Sequence, residues 1–475
     1  MTVRGNLGWT SAAVAGTAVL QYGLFFWVAR YLGAELYGVY SLAWTIAVLT
    51  GPLGDLGMSV ALVRVGAQRP GALSTAFGAS LAWRGILLGP VGLVAWAMAT
   101  LLGQPSAVFP LLLPLVLATA CDGVGTLCAA AFQAKERMAA SALVLIGRNL
   151  LRGVALLAVV GCGGGPLALA WAFFAAALIG ALPWLGSLRI AVGMQVVLAA
   201  LRPTLWEALP FGISIFATVL HGQIDIALLG TCADSAEVGR YHASSRFVFL
   251  AQMLPQVVAT ATAPLSYKKG LVGLDASAQV YRIKATAFAA LGLIATLALV
   301  VHGEWVVRSV LGVKYAGAEV LLVMLAPVIF VKFLASALVD TLGAIGRQGV
   351  LGFACTLALC VNVVANLLLD PSYQAMGAAA ATLVSETVLL GVLAVAVHRA
   401  GIALAFGRIL LHPLLAVTAA AVAHRWLGPG ATVITLVLVL FLLCSLRGRV
   451  EERLLLGSLR LPARDPRASL GALAG

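Results

Sequence analysis

Apolar runs of about 20 residues, separated by short polar turns, recur along this chain from residue 8 to residue 446. Each is long enough to cross a hydrocarbon core of about 30 Å as a helix. The alternating segments of about 10 residues that a membrane β-strand needs are absent, so helices carry the pattern. It predicts fourteen spans. Six run over 8–29, 37–62, 76–102, 108–132, 139–161 and 167–188, and six over 206–230, 238–263, 281–302, 318–341, 349–369 and 375–397. Two more, 404–424 and 430–446, precede a polar tail. The connections are short and leave no soluble domain for an active site. The opening stretch has no small-residue cleavage site after a short apolar core, so the first helix is expected to be retained.

Composition agrees. The chain has 475 residues, 62% hydrophobic and only 10% charged, against about 25% charged in soluble domains. The seven cysteines are scattered without metal-ligand spacing and read as small core residues. Charge placement tests the span count. With the N-terminus cytoplasmic, twenty of the thirty Lys and Arg fall on the cytoplasmic side, five on the other, and five within spans. That asymmetry follows the positive-inside rule and puts both termini in the cytoplasm. It also accounts for much of the +13 net charge, so no nucleic-acid partner is needed. The basic tail, 447–475, either lies against anionic lipid or is simply solvated.

A repeat is visible at an interval of about two hundred residues. "YLGAELYGVYSLA" (31–43) follows the first span and "LLGTCADSAEVGRYHAS" (228–244) the seventh, aligning Gly38 with Gly239 and Tyr40 with Tyr241. "FQAKERM" and "LGAIGRQ" likewise align Arg137 with Arg347. Six spans separate each pair, which predicts two parallel six-helix lobes related by an axis along the membrane normal. The expected divisions are an N-terminal lobe at 1–190, a C-terminal lobe at 203–400, two additional helices at 401–446 and the tail at 447–475.

The spans contain Arg84, Arg148, Arg152, Arg246 and Lys332. Each costs about 2.5–3.5 kcal/mol at a helix centre even on the lenient insertion scale, so each needs water, an acidic partner or a ligand. Arg148 and Arg152 are four residues apart and leave one helical face about a turn apart. Asp55, Asp122, Asp225, Asp340 and Glu386 lie in or near the spans, and two readings stand. The charges pair internally, or the surplus in the first lobe, three arginines against two aspartates, receives an anion, with Asp122 the expected partner of one of Arg148 and Arg152 and the other left over; the planar guanidinium fork suits phosphate. "TGPLGDLGMS" (50–59) interrupts the second span around Asp55, as expected beside protein or a water-filled cavity. Pro90, Pro114, Pro210, Pro255 and Pro327 are candidate kinks. His221, one turn before Asp225, is a candidate relay partner for it, or a histidine bonded to a carbonyl. No nucleotide loop, zinc motif or nucleophile elbow appears, so catalysis has no positive support.

Three stretches, 28–65, 209–265 and 338–386, resemble polysaccharide-transporter flippases (Wzx-like, O-antigen type) of the multidrug/oligosaccharidyl-lipid/polysaccharide exporter superfamily. They carry the Gly239-x-Tyr241 turn, Asp225, Gly346-Arg347-Gln348 and the Gly-Ala-Ala run from 377. The resemblance implies two six-helix lobes around a central cavity that opens alternately to each membrane face. It implies flipping of undecaprenyl-pyrophosphate-linked oligosaccharide across the cytoplasmic (inner) membrane for cell-surface polysaccharide synthesis. No cofactor is implied beyond a proton or sodium gradient. The expected partners are the lipid-linked oligosaccharide, anionic lipids at the cytoplasmic face, and the polysaccharide polymerase and chain-length machinery. Arg84, Arg148, Arg152, Arg246 and Lys332 are then the candidate substrate ligands, and Asp55, Asp122, Asp225 and Glu386 the candidate coupling groups. A drug/cation antiporter on the same fold, disfavoured by the basic surplus, and a peptidoglycan lipid-precursor flippase are the alternatives. A membrane glycosyltransferase is disfavoured by the short connections.

Overall fold

The computed structural model describes residues 3–191, 193–404, 406, 407 and 409. Its eleven α-helices are α1 (Val3–Asp55), α2 (Met58–Gln68), α3 (Leu73–Leu101), α4 (Phe109–Ala134), α5 (Met138–Gly161), α6 (Pro166–Ala191), α7 (Leu198–Leu229), α8 (Ser235–Val272), α9 (Leu274–Val310), α10 (Ala318–Ala344) and α11 (Gln348–Arg399). There is no strand among the described residues. The two last predicted spans and the tail lie outside them.

Among the described residues nine helices are long and apolar enough to cross a membrane, ten with α8, which bends by 56° between Thr260 and Leu265. Two of these contain a reversal. The Phe25 and Trp44 rings lie 5.8 Å apart, although nineteen residues of straight helix would separate them by about 28 Å. The chain turns at Gly33, whose φ of 77° is cheap only for glycine. In α11, Asn362 donates to Ser385 at 3.2 Å across a reversal at Gln374. Each of these helices is therefore a hairpin of two legs, and this is a multi-pass membrane protein. Its outer surface fits that solvent: Leu101, Leu93 and Leu368 are 86%, 73% and 72% exposed. The second leg of α1 runs through Pro52 and breaks at Leu56 and Gly57, both at positive φ, which is the interruption expected around Asp55.

The helices α2–α6 pack mainly on one another and on α1, and α9–α11 on one another and on α8; α1 packs extensively against α8 between the two groups, and α7 joins α11 to α1, α2 and α3. The turns sort to two faces. The Gly33 face carries the turns near 33, 103, 163, 232, 313 and 374; the Gly346 face carries those near 69, 136, 193, 273 and 346.

On the Gly33 face the repeated motif is the seam itself. A methyl group on Gly38 would sit 1.6 Å from the Ser235 carbonyl oxygen, and one on Gly239 would sit 1.9 Å from that of Ala34. Only hydrogen at both positions lets α1 and α8 approach this closely. Two reciprocal bonds flank the seam. Gln104, after α3, donates to the Ala227 carbonyl at 3.1 Å. Tyr315, after α9, donates to the Ala29 carbonyl at 2.9 Å. Each lobe thus holds the end of the other lobe's first helix. Arg30 adds a bond to the Ser309 carbonyl at 2.5 Å. On the Gly346 face α2 and α7 meet at a second glycine contact, Gly57 against Gly212 and Ala208. Trp83 donates to Leu201 at 2.9 Å, and Arg69 pairs with Glu207 at 2.6 Å at the exposed rim.

Candidate functional site

Between the second leg of α1, α3, α4 and Ile215 of α7 lies a cavity of about 270 Å³. Asp55, Ser59, Arg84, Asp122 and Thr126 line it. The α1 break places Asp55 to receive Ser59 Oγ at 2.8 Å and the guanidinium of Arg84, which also donates to Ser59 Oγ at 3.0 Å. Asp122 serves two arginines. Arg152 Nη2 reaches its Oδ2 at 2.5 Å; Arg148 lies 3.5 Å from its Oδ1 and donates to its backbone carbonyl at 2.7 Å. Three guanidiniums therefore share two carboxylates, and one positive charge is left over.

Of the five predicted basic ligands, only Arg84 lines this cavity. Arg148 lies over Gly125, beside Gly180. Arg152 turns into the first lobe, stacked 3.9 Å over the Phe173 ring and sharing a small gap with Gln21 and Tyr40. The run Asp122-Gly123-x-Gly125 prepares α4 for them. A methyl on Gly123 would come within 2.1 Å of Arg84 Nη1, and one on Gly125 within 2.9 Å of Arg148 Nη1. Two glycines directly following a carboxylate in mid-span are the sequence signal that marked this packing.

In the second lobe Glu386 takes both Lys332 and His221, the latter at 3.3 Å. His221 therefore bonds neither Asp225 nor a backbone carbonyl, the two alternatives offered by the sequence: its imidazole reaches across to α11. Asp225 accepts from Tyr241 at 2.5 Å, from Thr382 at 3.3 Å and from the Ile226 amide at 2.9 Å. No cation lies within ion-pair distance of it among the described residues. Asp370, read from sequence as part of a turn, is helical, 2% exposed, and without a hydrogen-bond donor on either carboxylate oxygen. It lies near enough to Asp225 for their charges to interact. The Asn366 carbonyl oxygen, one turn away, is also without a donor. Asn362, Asn366 and Asp370 recur every fourth residue, a polar stripe on one helical face that sequence reading passed over. Asp225 and Thr382, bonded to each other, and Asp370 and Asn366, one turn apart on α11, carry oxygen donors of the kind a small cation takes.

Arg246 stands between the lobes. It is 5% exposed and donates to His242 and Gln223, flanked by the Phe25 and Phe249 rings at 5.3 and 5.2 Å. Among the described residues it has no carboxylate within ion-pair distance, unlike the other four predicted ligands. Lys284, buried, and Asp340, partly buried, form another pair at 3.0 Å, with Ser266 on the same ammonium at 2.8 Å.

The family model "Polysaccharide biosynthesis protein" matches residues 3–268 of this chain. No curated protein matches its sequence. Among solved structures it is similar to "Lipid II flippase MurJ, inward closed conformation", at 14% identity and TM-score 0.71, covering 94% of this chain and 99% of that one. An inward-facing multidrug resistance MATE family transporter of the MOP superfamily matches at 13% identity and TM-score 0.65, covering 81% and 94%. A MOP superfamily transporter from Pyrococcus furiosus, described by the reverse polarity of its binding pocket, matches at 14% and 0.59, covering 83% and 95%. At these identities the structures establish the fold, that of MurJ and the MATE transporters.

Proposed function

Because the chain belongs to the polysaccharide biosynthesis protein family, we propose that it flips an undecaprenyl-pyrophosphate-linked oligosaccharide across the cytoplasmic membrane by alternating access. The observation that carries this reading is Arg246: a guanidinium buried between the lobes with no carboxylate within ion-pair distance among the described residues. An anion supplies what this site lacks, and a pyrophosphate matches the guanidinium fork in charge and geometry. The surplus arginine of the first lobe adds to the attraction, while the prenyl chain stays in lipid. Both termini and the Gly346 face are cytoplasmic on this reading, following the Lys and Arg bias. The sugar-synthesis product then enters from that face, and the oligosaccharide leaves by the Gly33 face. The oxygen cluster of Asp225, Asp370, Asn366 and Thr382 takes the coupling ion, a sodium ion or a proton.

A cationic drug is a poorer fit to the first-lobe cavity. Both of its carboxylates, Asp55 and Asp122, are already engaged by arginine. The test is glycan export in cells that depend on this chain, measured as surface polysaccharide and as lipid-linked oligosaccharide accumulating in the inner leaflet. Arg246→Gln and the pair Arg148→Gln/Arg152→Gln should abolish export with the protein still in the membrane. Normal export by both would overturn the reading.

A further inference from the structure

Among the described residues only the second lobe gives Arg246 a hydrogen bond. His242 accepts from its Nε at 3.2 Å, and Gln223 from its Nη2 at 3.2 Å. Its Nη1 donates to nothing among those residues. From the first lobe the Phe25 ring comes to 5.3 Å from the guanidinium carbon and brings no polar atom. The polar residue on that face of α1 is Tyr22. Tyr22, Phe25 and Phe26 are spaced by three and four residues and share one helical face. Phe26 stacks at 4.3 Å on Phe247, the residue after Arg246, so this face is turned towards α8. Tyr22 precedes Gly33 by eleven residues, and Arg246 follows Ser235, the first residue of α8, by eleven. Both therefore sit about 16 Å below the Gly33 face on facing helices, near enough for the guanidinium charge to reach the phenol.

The repeat adds a second, independent placement. The offset that aligns Gly38 with Gly239 also aligns Tyr22 with Gln223. An axis between the lobes then brings Tyr22 towards the middle from the first lobe as Gln223 comes from the second, and Gln223 is the residue that meets Arg246. Tyr22 is only 8% exposed, yet its hydroxyl makes no hydrogen bond among the described residues.

Resting on the reading of Arg246 as a pyrophosphate ligand, we propose that Tyr22 is the first lobe's ligand to the same headgroup. Arg246 takes the anion through its uncommitted Nη1, and the Tyr22 O–H donates to another phosphate oxygen. A bond from a hydroxyl to an anionic oxygen is short and about twice as strong as one to a neutral acceptor. The choice of residue follows from the surroundings. Arg148 and Arg152, the first-lobe cations on α5, are engaged by Asp122. A phenol adds a donor without adding a buried charge to the empty protein. The headgroup then has one ligand on α1 and one on α8, so a single anion ties the two lobes together.

The decisive variant is Tyr22→Phe, which removes the hydroxyl, keeps the ring and breaks no hydrogen bond of the empty protein. The full chain in lipid nanodiscs is titrated with geranylgeranyl pyrophosphate and, separately, with inorganic pyrophosphate. Tyr22→Phe should weaken both by the same factor, at least tenfold, the value of a hydrogen bond to a charged group. The unfolding temperature of the empty protein should not move. Arg246→Gln should also weaken both at least tenfold. A packing role for Tyr22 predicts unchanged affinity, and a role in holding the prenyl chain predicts loss for geranylgeranyl pyrophosphate alone. Either result, with binding still dependent on Arg246, overturns Tyr22 as a headgroup ligand and leaves the flippase reading standing. Wild-type protein that binds neither probe, or Arg246→Gln that binds both unchanged, overturns both.

Discussion

Two residues placed identically by the repeat carry opposite business. Tyr40 in the first lobe shares a gap with Arg152; Tyr241 in the second donates to Asp225. At the offset that superposes Gly38 on Gly239, the counterpart of Asp225 is Leu24. The difference extends to both interiors. The first lobe engages all its buried carboxylates with arginine and keeps a positive charge in hand. The second leaves Asp225 and Asp370 without a basic partner among the described residues. One scaffold, duplicated, has been charged cationic on one side and anionic on the other. The division is not complete, because the second lobe also carries Arg246, buried and without a carboxylate within ion-pair distance among the described residues.

The comparison breaks most visibly at Asp122, the carboxylate that serves two buried arginines. Asp122→Asn leaves both without a counter-ion, and removing one partner of a buried ion pair costs about 3–5 kcal/mol. The variant should aggregate in detergent and lose most of its folded yield by size-exclusion chromatography. Asp122→Asn combined with Arg152→Leu should recover part of the loss, because it removes one of the stranded charges. A single variant as stable as wild type would mean that Asp122 does not neutralise the pair.

The second lobe should respond in the opposite sense. Asp370 holds a buried carboxylate whose oxygens receive no donor, and an unsatisfied buried polar group costs about 1–3 kcal/mol, more when charged. In buffer free of sodium and other small cations, Asp370→Asn should therefore raise the unfolding temperature. Adding sodium should stabilise wild type and leave Asp370→Asn unmoved. Asp225→Asn should lose the sodium response as well but without the initial gain, since Asp225 already has three donors. Sodium stabilisation retained by both variants would place the coupling site elsewhere.

Much of this was legible in the chain before any coordinates. Apolar run length dictated the helices, and the repeated Gly-x-Tyr turn marked the lobes, because hydrocarbon admits few ways to satisfy a backbone. The choice of charged residues was legible too, because charges in spans are costly enough to stand out. Their partners were legible only in part: Asp122 could be named for one of Arg148 and Arg152, but its engaging both, and His221 bonding Glu386 from 165 residues away, depend on which helices touch. That is a property of packing which no spacing along one helix encodes. Asp370 was missed for a different reason: Asp370-Pro371 reads as the end of a helix, but the helix continues through Pro371 to the reversal at Gln374, so the span was cut short on its C-terminal side.

The smallest expected effect concerns how alike the lobes remain where charge is not involved. Gln104 and Tyr315 make the same kind of bond, each from the turn after its lobe's third leg-equivalent helix to a carbonyl at the end of the opposite lobe's first. If the two clasps are equivalent, Gln104→Ala and Tyr315→Phe should each open the Gly33 face by the value of one hydrogen bond, about 1 kcal/mol, a shift of about fivefold in population. The pair should be additive, because the two sites share no partner. Maleimide labelling of a single cysteine introduced at Ala243, on α8 just below the seam, reads the open fraction in a background without native cysteines. Equal single effects would show that closure has kept the symmetry which the charged interior gave up. A Tyr315 effect much larger than that of Gln104 would show that the asymmetry reaches the gate as well, since Tyr315 is also packed in edge contact with Tyr37, whose hydroxyl bonds His242.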